Sequence, residues 1–386
     1  MSAPAPHALR NSATALATVR PRCNRCWHES HWASRTQGSL LVEIVSGNPA
    51  AHSGVSGAEH AVHVSLGARM REPRTLLSFA VAALLIAFAV SRANLNMTAV
   101  GRVLSDAQLA YLVLGLLAYY VTFPLRAARW RRILASAGVS PASGYAIPGR
   151  RGLTEIFMIG QFTNCVAPAK LGDGYRGYLL KKHAGVSFPL TLGTILAERV
   201  VDLILLSTLL LASGLYVFHG STPQDLRPWL VVGAALAVCG VAGIVFVARN
   251  GERVVRRLPE RVQKHAVALE RGLVTAFVRG RIGPIAALSL PVWILEGVRL
   301  MAVALAIGLD LSFGACLFIG LLASLLTAFP LTPAGLGAVE SGALLALSAL
   351  GVGSASAGAL VLLDRGITYW SLLLVGAVVY VTSRMR

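Results

Sequence analysis

Acidic and arginine side chains occur together, at helical spacing, inside stretches that are otherwise apolar. The residues concerned are Glu198, Arg199, Asp202, Glu296, Arg299, Asp364 and Arg365. Side chains three or four residues apart lie on one helix face, so Arg199 can pair with Asp202 and Glu296 with Arg299. An ion at the bilayer centre costs about 3 kcal/mol on insertion scales. These groups therefore either lock helices together as ion pairs or line a polar cavity that holds a charged headgroup, and both readings stay open.

Two segments interrupted by proline and glycine could complete such a cavity. Residues 164–173 read NCVAPAKLGD and residues 329–340 read FPLTPAGLGAVE, so both contain Pro-Ala-X-Leu-Gly followed by an acid. An acidic–arginine pair follows about 31 residues after each motif proline. Broken helices expose backbone N–H groups that suit phosphate or carboxylate. Glycines let a headgroup approach the backbone, or let two helices pack tightly. The substrate-binding candidates here are Asn164, Pro168, Gly172, Asp173, Arg176, Pro333, Gly335, Gly337 and Glu340.

The elements that must position these residues are membrane helices. Apolar residues make up 55% of the 386-residue chain and charged residues 13%, whereas soluble domains carry about a quarter charged residues. Apolar runs long enough to cross a bilayer predict six spans, and Pro and Gly interrupt two further apolar stretches, 153–169 and 313–350. The predicted spans are 75–91, 108–125, 190–218, 229–248, 284–309 and 356–382.

The distribution of basic residues predicts the orientation. The net charge is +18, but the basic residues cluster between the apolar runs, which is typical of the positive-inside pattern rather than of nucleic-acid binding. Segments 126–151, 170–182 and 249–281 and both termini should be cytoplasmic, whereas 92–107 and 219–228 should be outside. Residues 251–280 also show helical apolar spacing, as in a helix on the inner membrane surface or a solvated basic helix. We expect an inner (plasma) membrane protein.

This charge map makes the two interrupted stretches re-entrant. Basic segments flank 153–169 on both sides, so it should enter and leave from the cytoplasm, while 313–350 should start and end outside. An odd number of crossings separates the two motifs, so the copies are inverted. The predicted fold is all-α and integral to the membrane, with six transmembrane helices and two re-entrant hairpins in an inverted repeat of residues 71–220 and 229–386. Inverted repeats with broken elements are a transporter design.

The first 70 residues differ from the transmembrane domain, 71–386. Their polar, aperiodic composition predicts a disordered basic tail, and we expect the biological start at or near Met70. The group Cys23, Cys26, His28 and His31 is spaced too tightly for a usual zinc site. The sequence therefore predicts no metal and no cofactor.

The region from about 75 to 382 resembles the flippase-like transmembrane family of lysylphosphatidylglycerol synthases. Ala169 and Ala334 stand where that family often has glycine, and Lys170 where it often has arginine. In fuller members a soluble aminoacyl-transfer domain follows, and no such domain follows within this chain, so the resemblance implies movement or binding of a lipid. The matching residues are Arg129-Trp130, Asn164, Pro168, Leu171-Gly172-Asp173, Arg176, Glu198-Arg199, Asp202, Pro333, Gly335, Gly337, Glu340, Arg365 and Tyr369-Trp370.

Two classes of function remain open. The first is a lipid transporter or flippase that moves or binds an anionic or aminoacylated headgroup, without being an enzyme. The second is a membrane enzyme of envelope lipid metabolism, although His183, His219 and His265 fall in predicted loops and form no nucleophile–base constellation. An accessory subunit of such a pathway needs no transport. Membrane lipids and a lipid-synthesis enzyme are the expected partners; nucleic acid is not. The sequence does not predict an oligomeric state.

Overall fold

The computed structural model describes residues 96–167, 170–219, 223–278, 280–327 and 332–386. The predicted tail, the predicted first span at 75–91 and Pro168 lie outside these residues. Every regular element in the described ranges is helical. The α-helices are α1 (Met97–Ser105), α2 (Leu109–Ser136), α3 (Arg150–Val166), α4 (Leu171–Ala184), α5 (Phe188–Phe218), α6 (Arg227–Arg256), α7 (Glu260–Val274), α8 (Ile282–Ala306), α9 (Phe313–Leu326), α10 (Ala338–Ala349), α11 (Ser354–Arg365) and α12 (Ser371–Thr382).

Five helical runs are long and apolar enough to cross a membrane: α2, α5, α6, α8, and α11 with α12. They confirm the five predicted spans that fall in the described residues. The clearest difference lies in α2, which continues to Ser136 rather than ending at residue 125. Arg126 and Arg129 are therefore not loop residues, and their assignment to a cytoplasmic loop is wrong. The helix continues because both guanidinium groups have acidic partners inside the protein.

The last span changes its helical geometry at the predicted charge pair. A π-helical turn, Gly366–Trp370, joins α11 to α12 directly after Arg365. Single π turns inside α-helices are frequent at functional sites. Tyr119 of α2 donates a hydrogen bond to the Thr368 carbonyl in this turn, at 3.0 Å.

Each predicted hairpin is a pair of short helices around a break, α3–α4 and α9–α10. With a rise of about 1.5 Å per residue, the 14-residue α4 and the 12-residue α10 are too short to span a hydrocarbon core of about 30 Å. The charge map assigns 170–182 to a cytoplasmic segment, and the structure has α4 there. That assignment is wrong for Arg176, which is fully buried.

The start of α3 and the end of α4 lie at the same end of the bundle. Met385 contacts Gly152 near the start of α3, and Lys182 near the end of α4 donates to the Arg386 carbonyl at 2.9 Å. Arg281 before α8 donates to the carbonyl of Ser136 at the end of α2, also at 2.9 Å. These are segments that the charge map predicts to be cytoplasmic.

The second pair begins at the opposite end. The start of α9 packs Gly314 against Tyr216 near the end of α5. At this end the Gln108 N–H before α2 also donates to the Ala306 carbonyl at the end of α8, at 2.8 Å. The two helix pairs therefore enter the bundle from opposite ends, as the inverted repeat predicts.

The breaks of the two pairs meet beside the middle of the last span. Tyr369 donates a 3.4 Å hydrogen bond to the Cys165 carbonyl at the end of α3. Ala334 and Leu336 of the second break pack against the same cluster, which contains Cys165 and Tyr369. That both pairs are re-entrant remains a prediction from the charge map.

Two helices lie outside this core. α1 falls in a segment predicted only as an outer loop, and the Asn96 side chain caps it by accepting from the Thr98 N–H at 3.1 Å. α7 confirms part of the helical spacing predicted for 251–280. It packs closely on α5, because a Cβ on Gly193 would overlap the Leu269 carbonyl. α7 is thus held against the bundle, with Arg261 among its exposed residues.

Candidate functional site

Arg129 joins three helices in the interior. Its side chain is fully buried, and Nη2 lies 3.0 Å from Glu198 Oε1 and 2.8 Å from Asp202 Oδ2. Nη1 contacts the other Asp202 oxygen and donates to Ser289 Oγ at 2.9 Å. Arg129 therefore ties α2 to α5 and α8. The charge map predicts Arg129 in a cytoplasmic segment, but Trp130, Ile133 and Leu134 continue the apolar period beyond it, which indicates a buried helix end.

Arg176 fixes the first hairpin to α5. Its Nη2 donates to Glu198 Oε2 at 2.9 Å. The guanidinium lies over two aromatic rings, 4.4 Å from the centroid of Trp130 and 4.1 Å from that of Phe157. Glu198 thus sits between two arginines in a dry environment. Such a fully paired carboxylate holds helices together and is not accessible to a ligand.

Arg199 pairs with the motif acid of the first half, not with Asp202. Its Nε donates to Asp173 Oδ2 at 3.0 Å and its Nη2 to Oδ1 at 2.7 Å, which is a bidentate contact between α5 and α4. The expected pairing of Arg199 with Asp202 along one helix face is wrong, because Asp202 pairs with Arg129 instead. The Arg199 side chain is 30% exposed, so part of the guanidinium remains available from the cavity.

The second half repeats this arrangement. Arg365 Nε donates to Glu340 Oε1 at 2.6 Å, and its Nη2 donates to the Ala334 carbonyl at 3.3 Å. Arg299 contacts Asp364 and pairs with Glu296 at 2.8 Å, as the three-residue spacing predicted. The motif acids Asp173 and Glu340 thus hold equivalent arginines.

The motif glycines form backbone hydrogen bonds within the protein and allow close helix packing. The Gly172 N–H donates to Asn164 Oδ1 at 2.8 Å, and the Gly337 N–H donates to Glu340 Oε2 at 2.6 Å. These two N–H groups are therefore not free for a ligand. A Cβ on Gly172 would overlap the Gly160 carbonyl, so this glycine allows α4 to pack closely on α3. Gly335 has a left-handed φ of 68°.

A cavity of about 240 Å³ lies between the two halves, and residues of both halves line it. Arg126 and Lys170 also line it; the sequence had placed both in cytoplasmic segments. Arg126 Nη2 lies 3.5 Å from Glu296 Oε1, and its guanidinium lies over the Trp293 ring. The predicted site residues in the lining are Asn164, Arg199, Asp202, Glu296, Arg299, Asp364 and Arg365.

The other predicted site residues stand behind this lining and position it. Asp173 and Glu340 hold the arginines, and Arg176 orders the helix that carries Asp173. Pro168 lies outside the described residues. The supporting residues are Gly172, Asp173, Arg176, Glu198, Pro333, Gly335, Gly337 and Glu340.

The residues that line the cavity are of types that bind charged ligands. Among the residues that the structure describes, no group of three or more His, Cys, Asp or Glu side chains could hold a metal ion. His183, His219 and His265 are not part of the lining. The cavity instead presents guanidinium, ammonium and carboxylate groups, which bind charged groups by hydrogen bonds and Coulomb attraction.

Comparison with known proteins relates the whole bundle to a family. A UPF0104 membrane protein of Methanocaldococcus jannaschii is 33% identical over 222 residues, which are 57% of this chain and 93% of that protein. Glycosyltransferase AglD of Haloferax volcanii is 29% identical over 73% of this chain, and the chain covers only 50% of AglD. A UPF0104 membrane protein of Methanothermobacter thermautotrophicus is 24% identical over 71% of this chain and 85% of that protein.

The family comparison covers both helix pairs and the cavity between them. Residues 75–376 match the family described as Lysylphosphatidylglycerol synthase TM region. This match includes the two motifs and every acidic and arginine residue of the buried network, and it bears out the resemblance that those residues carry. The chain is therefore an integral membrane protein that belongs to the Lysylphosphatidylglycerol synthase TM region family.

Proposed function

We propose that this protein binds the charged headgroup of a membrane lipid in the cavity between its halves and moves it across the membrane. The observation that carries the proposal is the lining itself, to which Arg199 of one half and Arg365 of the other both contribute. A headgroup at this point would contact both halves at once, while its acyl chains stay in the bilayer.

The inverted arrangement supports movement as well as binding. The two helix pairs enter from opposite ends and their breaks meet at the same cluster. Such repeats support alternating access, in which one half rocks against the other around a central site. Arg126 of the first half lies 3.5 Å from Glu296 of the second, so this ion pair connects the two halves beside the cavity.

Transport is tested with the purified full chain in proteoliposomes. Fluorescent lipids in both leaflets are exposed to a membrane-impermeant quencher, and the rate of loss of the protected signal measures flipping. We expect protein-dependent flipping of a charged lipid, and a loss of it in Arg199→Ala and Arg365→Ala. Arg261→Ala, an exposed arginine on α7, is the matched control and should flip lipids at the wild-type rate.

Folding must be separated from function in this test. Each variant is checked by size-exclusion chromatography and by its melting temperature in the same detergent. A folded Arg199→Ala protein that flips lipids normally would reject the role of this arginine. If wild-type protein adds nothing to the rate of empty liposomes for any headgroup, the transport proposal fails.

A second function is favoured by one relative. AglD is named a glycosyltransferase, and this chain corresponds to only half of its length. A chain of this family could therefore act as the lipid-binding partner of a separate lipid-modifying enzyme, without transport. Affinity purification from native membranes after crosslinking would test this, since the accessory function requires a stable complex with such an enzyme.

A further inference from the structure

Lys170 occupies an unfavourable backbone conformation at a position that is glycine in the other half. Aligning the two Pro-Ala-X-Leu-Gly motifs places Lys170 opposite Gly335. Lys170 has a φ of 53° and Gly335 a φ of 68°, so the fold demands a left-handed residue at both positions. Glycine adopts this region readily, whereas a residue with a Cβ does so at a cost. Residues in such conformations cluster at functional sites, and Ala334, which lines the cavity from the second break, is also left-handed.

The charges around the cavity are balanced without this lysine. Six arginines and six carboxylates form the buried network, and every one of these arginines has a carboxylate oxygen within ion-pair distance. The arginines are Arg126, Arg129, Arg176, Arg199, Arg299 and Arg365; the acids are Asp173, Glu198, Asp202, Glu296, Glu340 and Asp364.

Lys170 adds one positive charge to this neutral set. Lys170 lines the cavity, and no carboxylate among the described residues lies within ion-pair distance of its ammonium group. A charge in a low-dielectric site is stabilised by an opposite charge or by water. A ligand with a single negative charge would complete the balance, a neutral ligand would leave it incomplete, and a cationic ligand would increase the imbalance.

We propose that Lys170 makes the cavity selective for a lipid headgroup of one net negative charge, a phosphodiester, over aminoacylated headgroups of net positive charge. This inference rests on the proposed function only in that a lipid headgroup enters the cavity. The ammonium group pairs with the phosphate oxygens, and Arg199 and Arg365 flank the site from the two halves. The second half has glycine at the equivalent position, so the two halves contribute unequally to recognition.

Binding, measured apart from transport, tests the proposal. The full chain in neutral detergent micelles is titrated with short-chain phosphatidylglycerol, phosphatidylcholine and lysylphosphatidylglycerol, and the heat of binding is recorded. We expect phosphatidylglycerol to bind most tightly. Lys170→Met should lower that affinity about tenfold, as expected for a lost charge-assisted hydrogen bond, while Lys170→Arg should keep it. Lys264→Met, on an exposed lysine of α7, should change nothing.

The variant Lys170→Gly distinguishes the effect of the side-chain charge on affinity from the effect of the left-handed backbone on stability. It places in the first half the residue that the second half already has, so the melting temperature should rise while the affinity for phosphatidylglycerol falls as in Lys170→Met. A wild-type protein that prefers lysylphosphatidylglycerol, or a folded Lys170→Gly protein that binds phosphatidylglycerol as tightly as wild type, would overturn the proposal.

The outcomes also distinguish this inference from the proposed function. Lys170-dependent binding in a protein that flips no lipid would reject transport alone. Flipping of phosphatidylglycerol that is unchanged in Lys170→Met would reject the role of Lys170 alone.

Discussion

Arg365 donates a hydrogen bond from Nε to Glu340 Oε1 at 2.6 Å, across a separation of 25 residues. Arg199 makes the equivalent contact with Asp173 across 26 residues. In both halves, the acid that follows the broken motif therefore holds the arginine of the next long helical run. The repeat is thus a repeat of interactions as well as of sequence, and in each half the arginine held by the motif acid lines the cavity.

We expect these two ion pairs to differ in strength. The Arg199 side chain is 30% exposed and that of Arg365 is 9% exposed, and solvent weakens an ion pair. Double-mutant cycles with Asp173→Asn and Arg199→Gln, and with Glu340→Gln and Arg365→Gln, should give coupling energies of about 0.5–3 kcal/mol. The coupling should be larger in the second half. Denaturant unfolding in one detergent measures it; equal or reversed coupling would contradict this ranking.

Arg129 should be the most sensitive arginine for stability. Its removal leaves the buried Asp202 without its arginine and Glu198 with Arg176 alone, and breaking a buried pair in this way costs about 3–5 kcal/mol. Arg129→Ala should therefore unfold or aggregate in a detergent in which wild type is monodisperse. Arg132→Ala, one turn later on the same helix and exposed, is the matched control. Size-exclusion profiles and melting temperatures compare the two, and similar behaviour would show that Arg129 has no structural role.

The spans and the repeat could be predicted because they depend on local patterns. Apolar length predicted α5 and α8 closely, whereas α6 continues to Arg256, beyond the predicted end at residue 248. The two motifs with their acidic–arginine pairs predicted which helices converge. The partners of Arg129 could not be predicted, since Asp202 lies 73 residues away. A charged residue at the end of an apolar run looks the same whether it faces the cytoplasm or an interior acid. The same ambiguity explains why Arg176 and Lys170 are predicted in a cytoplasmic segment.

Gly172 should tolerate no side chain, whereas its neighbour Gly174 should. A Cβ on Gly172 would overlap the Gly160 carbonyl, while nothing lies within 4 Å of a Cβ on Gly174. Gly172→Ala must separate α3 from α4, and such overpacking costs about 1–3 kcal/mol. Gly174→Ala should stabilise the protein by up to about 1 kcal/mol, because alanine is the better helix former. Melting temperatures of the two variants check this contrast; equal effects would refute close contact of the helices at Gly172.

The labelling of introduced cysteines should show that the two helix pairs are re-entrant from opposite sides. Arg151 at the start of α3 and Lys181 near the end of α4 are exposed and belong to one end of the bundle. Asp310 before α9 and Ser354 at the start of α11 are also exposed and flank the second pair.

In a cysteine-free background, Arg151→Cys and Lys181→Cys should react with an impermeant maleimide from the cytoplasmic side only. Asp310→Cys and Ser354→Cys should react from the other side only, because the second pair begins and ends there. Inside-out and right-side-out vesicles distinguish the two cases. If Arg151→Cys and Lys181→Cys label from opposite sides, α3 and α4 together cross the membrane, and the inverted repeat of half-crossings would be wrong.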